Sequence, residues 1–450
     1  MSALFGTDGI RGVANEYPIT PEVAIRIGRA VARVLKAQRP GRHKVVIGKD
    51  TRVSGYMLET ALTSGLVSEG ARVLLTGPVP TPAVAHLTKS MACDAGIMLT
   101  ASHNPYADNG IKIFGPDGYK LNDALEEEVE KIILGDQPAP TGVRLGKAFR
   151  IDDATGRYIE FAKSSIGSQN LSGLKVVVDC AHGAGYFVGP LIFEELGAEV
   201  IKLGTSPDGY NINEGFGSLH PEKAAERVIA EKADIGICLD GDADRVIFVD
   251  GNGDVISGDR VLCLCAKALK GKGKLRGNTL VSTVMSNLGL RDALAADGID
   301  FIATDVGDRH VLERMREGNF NLGGENSGHL IFSDFATTGD GIVSALMVLS
   351  FIQDTGKTLA ELADCMSEYP QLLVNLPVSE KPPLEEVPAI TAAIAAANVA
   401  FGENGRTLVR YSGTEKKLRV LVDGNNDIFP DENLAREDMQ LFSIGLFERW

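Results

Sequence analysis

Short apolar runs alternate with amphipathic stretches along most of this chain, and that alternation confines it to the α/β class. Thr20-Pro21 opens a segment whose apolar residues Val23, Ile27, Ala30, Val31, Val34 and Leu35 recur at helical spacing, with threonine as the cap and proline in the first turn. Val45-Val46-Ile47 then reads as a buried strand, 57–68 as a helix, 73–75 as a strand, Thr81-Pro82 as a helix start and 95–99 as another strand. A β-α-β-α-β series of this kind implies a mostly parallel sheet.

The pattern restarts after the partly charged helical stretch 157–163. Strands are expected at 175–178, 199–202, 235–239 and 246–249, with a helix over 221–232. A third set follows, with helices near 260–269, 288–296 and 308–316 and strands at 279–282 and 301–303. From about Gln371 the text turns rich in proline and glutamate, before an alanine-rich helix and a strand at 407–410. A chain of 450 residues exceeds what one core supports. The expected organisation is three similar α/β domains with mostly parallel mixed sheets, 1–153, 154–255 and 256–369, and a smaller C-terminal α+β domain, 370–450.

Composition narrows the function. A net charge of −15 argues against a general nucleic-acid or anionic-membrane surface, which needs a basic face. Any anionic ligand must therefore be met by local basic groups. The six cysteines sit mostly in apolar runs without CxxC spacing and read as reduced core residues. The N-terminus lacks a basic region followed by an apolar one, and no apolar run reaches membrane-spanning length, so the expected location is the cytoplasm.

In open parallel sheets ligands bind beyond the carboxyl ends of the strands, and the chemistry-bearing segments follow such strands. Leu239-Asp240-Gly241-Asp242-Ala243-Asp244-Arg245 sets carboxylates at alternate positions after an apolar run. They repel one another unless a cation neutralises them, and three oxygen donors suit Mg²⁺. The spacing begins like a calcium loop, but Arg245 and Gly251 stand where that loop needs glycine and glutamate. Leu99-Thr100-Ala101-Ser102-His103-Asn104-Pro105 puts one serine in a polar turn after a buried run. That serine either caps a following helix or presents its hydroxyl to a cleft.

Gly323-Gly324-Glu325-Asn326-Ser327-Gly328-His329 interleaves hydrogen-bonding side chains with glycines, which suits sugar hydroxyls or a plain structural turn. Arg410-Tyr411-Ser412-Gly413-Thr414-Glu415, with Arg419 beyond, supplies phosphate-binding groups without a P-loop. Gly6-Thr7-Asp8-Gly9-Ile10-Arg11-Gly12 is too glycine-dense for a strand interior, and Asp108-Asn109-Gly110-Ile111-Lys112 brings a lysine near the serine. Gly183-Ala184-Gly185 lacks the third glycine of a dinucleotide site, and Ser102 is not in a GxSxG elbow.

Taken together, Thr100 to Pro105, Asp240 to Arg245, Gly324 to His329 and Arg410 to Thr414 resemble the phosphoserine, metal, sugar and phosphate loops of the α-D-phosphohexomutase superfamily. Phe5 to Gly12, Asp108 to Lys112, Val306-Gly307-Asp308-Arg309 and Thr337 to Gly341 resemble most its bacterial phosphoglucosamine mutase branch; phosphomannomutase/phosphoglucomutases usually carry methionine where Asn326 stands. The resemblance implies four domains around a central cleft and an isomerase interconverting glucosamine 6-phosphate and glucosamine 1-phosphate, feeding UDP-N-acetylglucosamine and cell-wall precursor synthesis. Ser102 would be phosphorylated and would pass its phosphoryl group through a 1,6-bisphosphate, a hexose or hexosamine 1,6-bisphosphate serving as primer.

One Mg²⁺ would bind Asp240, Asp242, Asp244 and a phosphoserine oxygen at Ser102. Arg245 would steady the metal loop, and Lys112 would be the general base, assisted by His103 and Arg11; that role needs its pKa lowered. Glu325, Asn326, Ser327 and His329 would hold the sugar, and Arg410, Ser412, Gly413, Thr414 and Arg419 the phosphate that is not reacting. A homodimer stands as an option, with no nucleic-acid or membrane partner. The competing readings are a phosphomannomutase/phosphoglucomutase, an aspartyl-phosphate phosphatase with Asp240 as nucleophile, and a non-catalytic sugar-phosphate sensor.

Overall fold

The structure, a computed structural model, describes residues 4–6, 8–135, 138, 141–142, 144–402, 404–411 and 416–425. It divides into two compact units, one of Met1–Thr283 with Ile302–Ala363 and the other of Val284–Phe301 with Asp364–Trp450.

The first unit opens with a six-stranded sheet in the order Ile10–Val13, Asp108–Phe114, Ala95–Leu99, Lys44–Lys49, Arg72–Pro78 and Lys147–Arg150. The last four run parallel, and the first two are antiparallel to their neighbours. Val45, Ile47, Ile97, Leu99, Ile111 and Ile113 meet Ile27, Leu58 and Leu62 of two helices in one core. Those helices, Pro21–Gln38 and Ser54–Ser68, follow from the apolar spacing, and Thr20 caps the first by accepting from the Val23 N–H at 3.3 Å.

A second sheet has the order Val255–Ile256, Val246–Asp250, Ile235–Leu239, Lys175–Asp179 and Glu199–Leu203. Its last three strands are parallel. A third pairs Thr279–Thr283 parallel to Leu322–Gly324, which pairs antiparallel with Leu330–Phe332. The helix Gly341–Thr355 is buried at every residue from Gly341 to Ile352. In the second unit Gln371–Pro377, Lys417–Gly424 and Gly405–Tyr411 form an antiparallel sheet, cored by Val378, Ile390, Leu418, Val420 and Val422. None of the six cysteines is in a disulfide.

Several elements differ from the sequence expectation. Ile10–Val13 is a strand despite its glycine-dense surroundings, because it is an edge strand and Gly9 supplies the close approach: a Cβ there would lie 2.4 Å from the Ile111 carbonyl oxygen. No helix follows Ser102. The chain turns into the strand Asp108–Phe114, so the helix-capping reading of that serine fails. Helices Asp123–Leu134 and Gly341–Thr355 and the strand Lys147–Arg150 were also not foreseen. A helix apolar on every side carries no amphipathic period to read.

Helices Pro21–Gln38 and Ser54–Ser68 touch backbone to backbone. A Cβ on Gly65 would stand 2.2 Å from the Ile25 carbonyl oxygen, and one on Gly28 2.5 Å from that of Leu62. Gly65→Ala is therefore expected to destabilise the first unit by about 1–3 kcal/mol, measured as a lower denaturant midpoint. An unchanged midpoint would mean that the helices separate without cost.

Candidate active site

The strand Ala95–Leu99 is buried along its whole length and delivers Ser102 just past its carboxyl end. The returning strand Asp108–Phe114 comes close enough for the Thr100 N–H to donate to Gly110 O at 3.0 Å. Only glycine permits this, since a Cβ at Gly110 would lie 2.6 Å from Thr100 O. Ser102 takes the left-handed conformation, φ +52°, with its N–H donating to Thr100 Oγ1 at 2.9 Å. Its hydroxyl, 1% exposed, donates to Asp240 Oδ2 at 2.6 Å and lies 3.3 Å from His103 Nδ1.

Asp240 likewise follows a fully buried strand, Ile235–Leu239. Asp240, Asp242 and Asp244 are all buried, and one ligand oxygen from each lies within 4.8 Å of the others. The loop is held from several segments. Arg245 N–H donates to Asp240 Oδ1 at 3.1 Å, Gly341 N–H to Ala243 O at 3.0 Å, and Thr81 gives its N–H to Asp242 O at 2.9 Å and its hydroxyl to Asp242 Oδ2 at 2.5 Å. Asp242 Oδ1 and Asp244 Oδ1 are buried with no hydrogen-bond donor among the described residues. Three clustered carboxylates with two unsatisfied oxygens fit a hard divalent cation such as Mg²⁺.

Charge around this cluster alternates in sign. Lys112 Nζ lies 3.0 Å from Asp242 Oδ2, 3.2 Å from Asp244 Oδ2 and 3.1 Å from Asp8 Oδ2. Asp8 also pairs with Arg11 and Lys120, and Lys120 with Asp308 at 2.6 Å. Asp308 and Asp244 stand 3.5 and 3.7 Å from the two ring nitrogens of His329. The Gly339 N lies 3.2 Å from His329 Nε2; burial would lower the pKa of this ring, but Asp244 and then Asp308 outweigh it and raise it above the ordinary histidine value. The first unit thus carries a closed ring: Asp8, Lys112, Asp244, His329, Asp308 and Lys120.

The ring sets the ionisation states. Burial, then Asp244 and Asp242, push Asp240 well above the usual carboxylate range. Burial would raise Asp244 too, but Lys112, His329 and Arg245 hold it well below. His103 is lowered to about 4 by burial, Arg245 and Arg11, and is neutral at pH 7. Lys112 lies among the same carboxylates. Burial alone would lower its pKa, yet Asp242, Asp244 and Asp8 outweigh it and raise it well above the ordinary value.

Glu325 is buried, with Oε1 accepting from the Gly307 N–H at 3.1 Å, while Asn326 and Ser327 are half-buried on the same turn. That turn closes through the Glu325 N–H to His329 O, 2.9 Å. Arg11 reaches Ala101 O at 3.5 Å, and Arg245 Nε lies 3.9 Å from Asp244 Oδ1. In the second unit Arg410 and Arg419 face each other across adjacent strands. Ser412, Gly413 and Thr414 lie outside the described residues.

Sequence reading missed Asp8, Lys120, Asp308 and Thr81 as members of this network. Asp8 and Asp308 lay inside stretches already singled out. Thr81 opens the helix Thr81–Ser90 as expected, and its hydroxyl in addition serves Asp242. Nothing local marks Lys120, whose partners are distant in sequence.

The chain matches family models described as phosphoglucomutase/phosphomannomutase alpha/beta/alpha domain I over residues 2–139, domain II over 156–253, domain III over 257–369 and C-terminal domain over 373–435. A phosphoglucosamine mutase of Syntrophotalea carbinolica is 53% identical over 428 residues, 94% of each chain. Another, of Pelobacter propionicus, is 53% identical over 453 residues, 100% of each. Among solved structures, a phosphoglucomutase/phosphomannomutase family protein of Burkholderia thailandensis superposes with TM-score 0.80 at 25% identity, covering 99% of this chain and 98% of that one. With four domain matches in order and half the residues shared along its whole length, this chain belongs to the phosphoglucomutase/phosphomannomutase family and, within it, to the phosphoglucosamine mutases.

Proposed function

We propose that this protein interconverts glucosamine 6-phosphate and glucosamine 1-phosphate through a phosphoserine at Ser102 and a 1,6-bisphosphate intermediate. The observation that carries the reading is the Ser102 hydroxyl, 2.6 Å from Asp240 in a buried three-carboxylate cluster. A lone buried serine needs no such neighbours, but a serine that gains and loses a phosphoryl group does.

In the first half-reaction the hydroxyl at C1 of the sugar attacks phosphorus, the bond from phosphorus to Ser102 Oγ breaks, and a 1,6-bisphosphate forms. One proton leaves the sugar hydroxyl and one arrives on Ser102 Oγ. These are the same proton: His103, neutral and 3.3 Å from Ser102 Oγ, would accept it from the sugar side and hand it to that oxygen as the phosphoryl group leaves. After the intermediate turns around, Ser102 Oγ takes the phosphoryl group from O6, its proton passes back, and glucosamine 1-phosphate remains. A bisphosphate from solution primes an unphosphorylated serine.

Asp240, Asp242 and Asp244 would hold Mg²⁺, which when bound neutralises charge on the transferring phosphoryl group. Lys112 and Arg11 add fixed positive charge beside the cluster, and Arg245 keeps the loop closed through its N–H on Asp240. Glu325, Asn326 and Ser327 offer acceptors and donors for sugar hydroxyls, whereas His329, expected from the sequence to join them, is buried with its ring nitrogens beside Asp244, Asp308 and the Gly339 N–H and instead steadies the carboxylate cluster. In the second unit Arg410 and Arg419 form a phosphate-binding pair, since like charges directly opposite in a sheet favour an anion between them. Among the described residues no helix is long and apolar enough to cross a membrane, and we assign the enzyme to the cytoplasm.

Ser102→Ala is expected to lose at least about 1,000-fold in turnover in a coupled assay with glucosamine 6-phosphate, Mg²⁺ and a bisphosphate primer, with an unchanged circular dichroism spectrum. Turnover at the wild-type level would remove the phosphoserine from the mechanism. Running glucose and mannose phosphates in the same assay tests the amino-sugar assignment, which requires the glucosamine phosphates to be the better substrates. Asp242→Asn should weaken Mg²⁺ binding at least about tenfold by calorimetry; equal affinity would place the metal elsewhere.

A further inference from the structure

Arg52 is completely buried, at 0% exposure, a place where a guanidinium needs acceptors, and among the described residues both Nη atoms have them while Nε does not. Asp50, equally buried, accepts from Nη1. Nη2 donates to two carbonyl oxygens of the serine loop, Ser102 O at 3.1 Å and Asn104 O at 2.6 Å. Asn213, on the connection after the strand Glu199–Leu203, donates from Nδ2 to the same two carbonyls at 2.9 Å each. Both carbonyls therefore take two donors, from segments remote in sequence. Asn213 is itself pinned by its N–H on Ala181 O at 2.8 Å. Gly241 presses against the arrangement, since a Cβ there would lie 2.5 Å from Ser102 O and 2.8 Å from Asn213 Nδ2.

The loop needs such a restraint. Ser102 sits at φ +52°, where a non-glycine residue stays only if its surroundings hold it. From that conformation its hydroxyl meets Asp240. Phosphoryl transfer depends on alignment, and a misplacement of about 1 Å costs roughly a hundredfold in rate. We propose that Arg52 and Asn213 are positioning residues, with Asp50 orienting Arg52: together they clamp the carbonyls of Ser102 and Asn104 and aim the phosphoserine at the carboxylate cluster. This inference rests on the phosphoserine reading above and deepens it.

Three variants test the clamp, each loaded with glucose 1,6-bisphosphate and followed by phosphorus NMR and steady-state kinetics. Asn213→Ala removes both amide donors. Its kcat should fall by about 10- to 100-fold with KM for glucosamine 6-phosphate within about twofold, and the phosphoserine resonance should shift or broaden. Asn213→Asp keeps the volume but turns a carboxylate on the two carbonyls, so it should be slower than the alanine variant; a packing role demands the reverse order. Arg52→Lys keeps a charge on Asp50 without the forked donor, and it should lose kcat while its far-ultraviolet circular dichroism at the assay temperature stays that of the folded protein; wild-type kcat would count against the clamp. Wild-type kcat and resonance in Asn213→Ala, or an aspartate variant faster than alanine, would overturn the clamp. Wild-type protein with neither a phosphoserine resonance nor turnover would instead remove the functional reading, and the clamp with it.

Discussion

Three carboxylates buried within 4.8 Å of one another are the constraint on which the rest of this site depends. Like charges out of water do not stay together without opposite charge among them. The molecule supplies it from the strand Asp108–Phe114, whose Lys112 contacts two of the three, and from Arg245 on the loop itself. Each charge is balanced in turn, Lys112 by Asp8 and Asp8 by Lys120, until the ring closes through Asp308 and His329. The two carboxylate oxygens left without donors mark where a further cation fits.

Such a network needs loops from several α/β segments at one place, and the backbone brings them there by close approach. A Cβ on Gly183 would lie 2.3 Å from Gly241 O, one on Gly341 2.5 Å from Arg245 O, and one on Gly328 2.3 Å from Val246 O. Each glycine sits where one loop rests on the backbone of another. The parallel strands then add direction. Ala95–Leu99 and Ile235–Leu239 both end at the site, so Ser102 and Asp240 leave their sheets toward each other.

Much of this was legible from residue order. Alternating apolar runs located most of the parallel strands, and the alternating carboxylates of Asp240 to Asp244 declared a cation-hungry loop before any coordinates. What misled was local text whose meaning lay elsewhere in the chain. Local text left Ser102 open between a helix cap and a serine facing a cleft, and the residues after it pair with Ala95–Leu99 as a strand, which removes the cap. Thr81 opens a helix as the sequence suggests, but its hydroxyl goes to a carboxylate 161 residues away, which no local pattern announces. The helix Gly341–Thr355 escaped notice because burial on every side erases the period that betrays a helix.

By itself the sequence determined the α/β class, the strand-end positions of the serine and the carboxylates, and the family, because periodicity and short motifs are properties of neighbouring residues. Only the tertiary structure decided the ionisation of Lys112 and His103 and the conformation of Ser102. Charge state depends on which groups lie a few ångströms away, and here those groups come from Asp8, Asp242, Asp244, Arg11 and Arg245. The left-handed turn at Ser102 depends likewise on carbonyl partners at Arg52 and Asn213, 50 and 111 residues distant, a relation that no local pattern encodes.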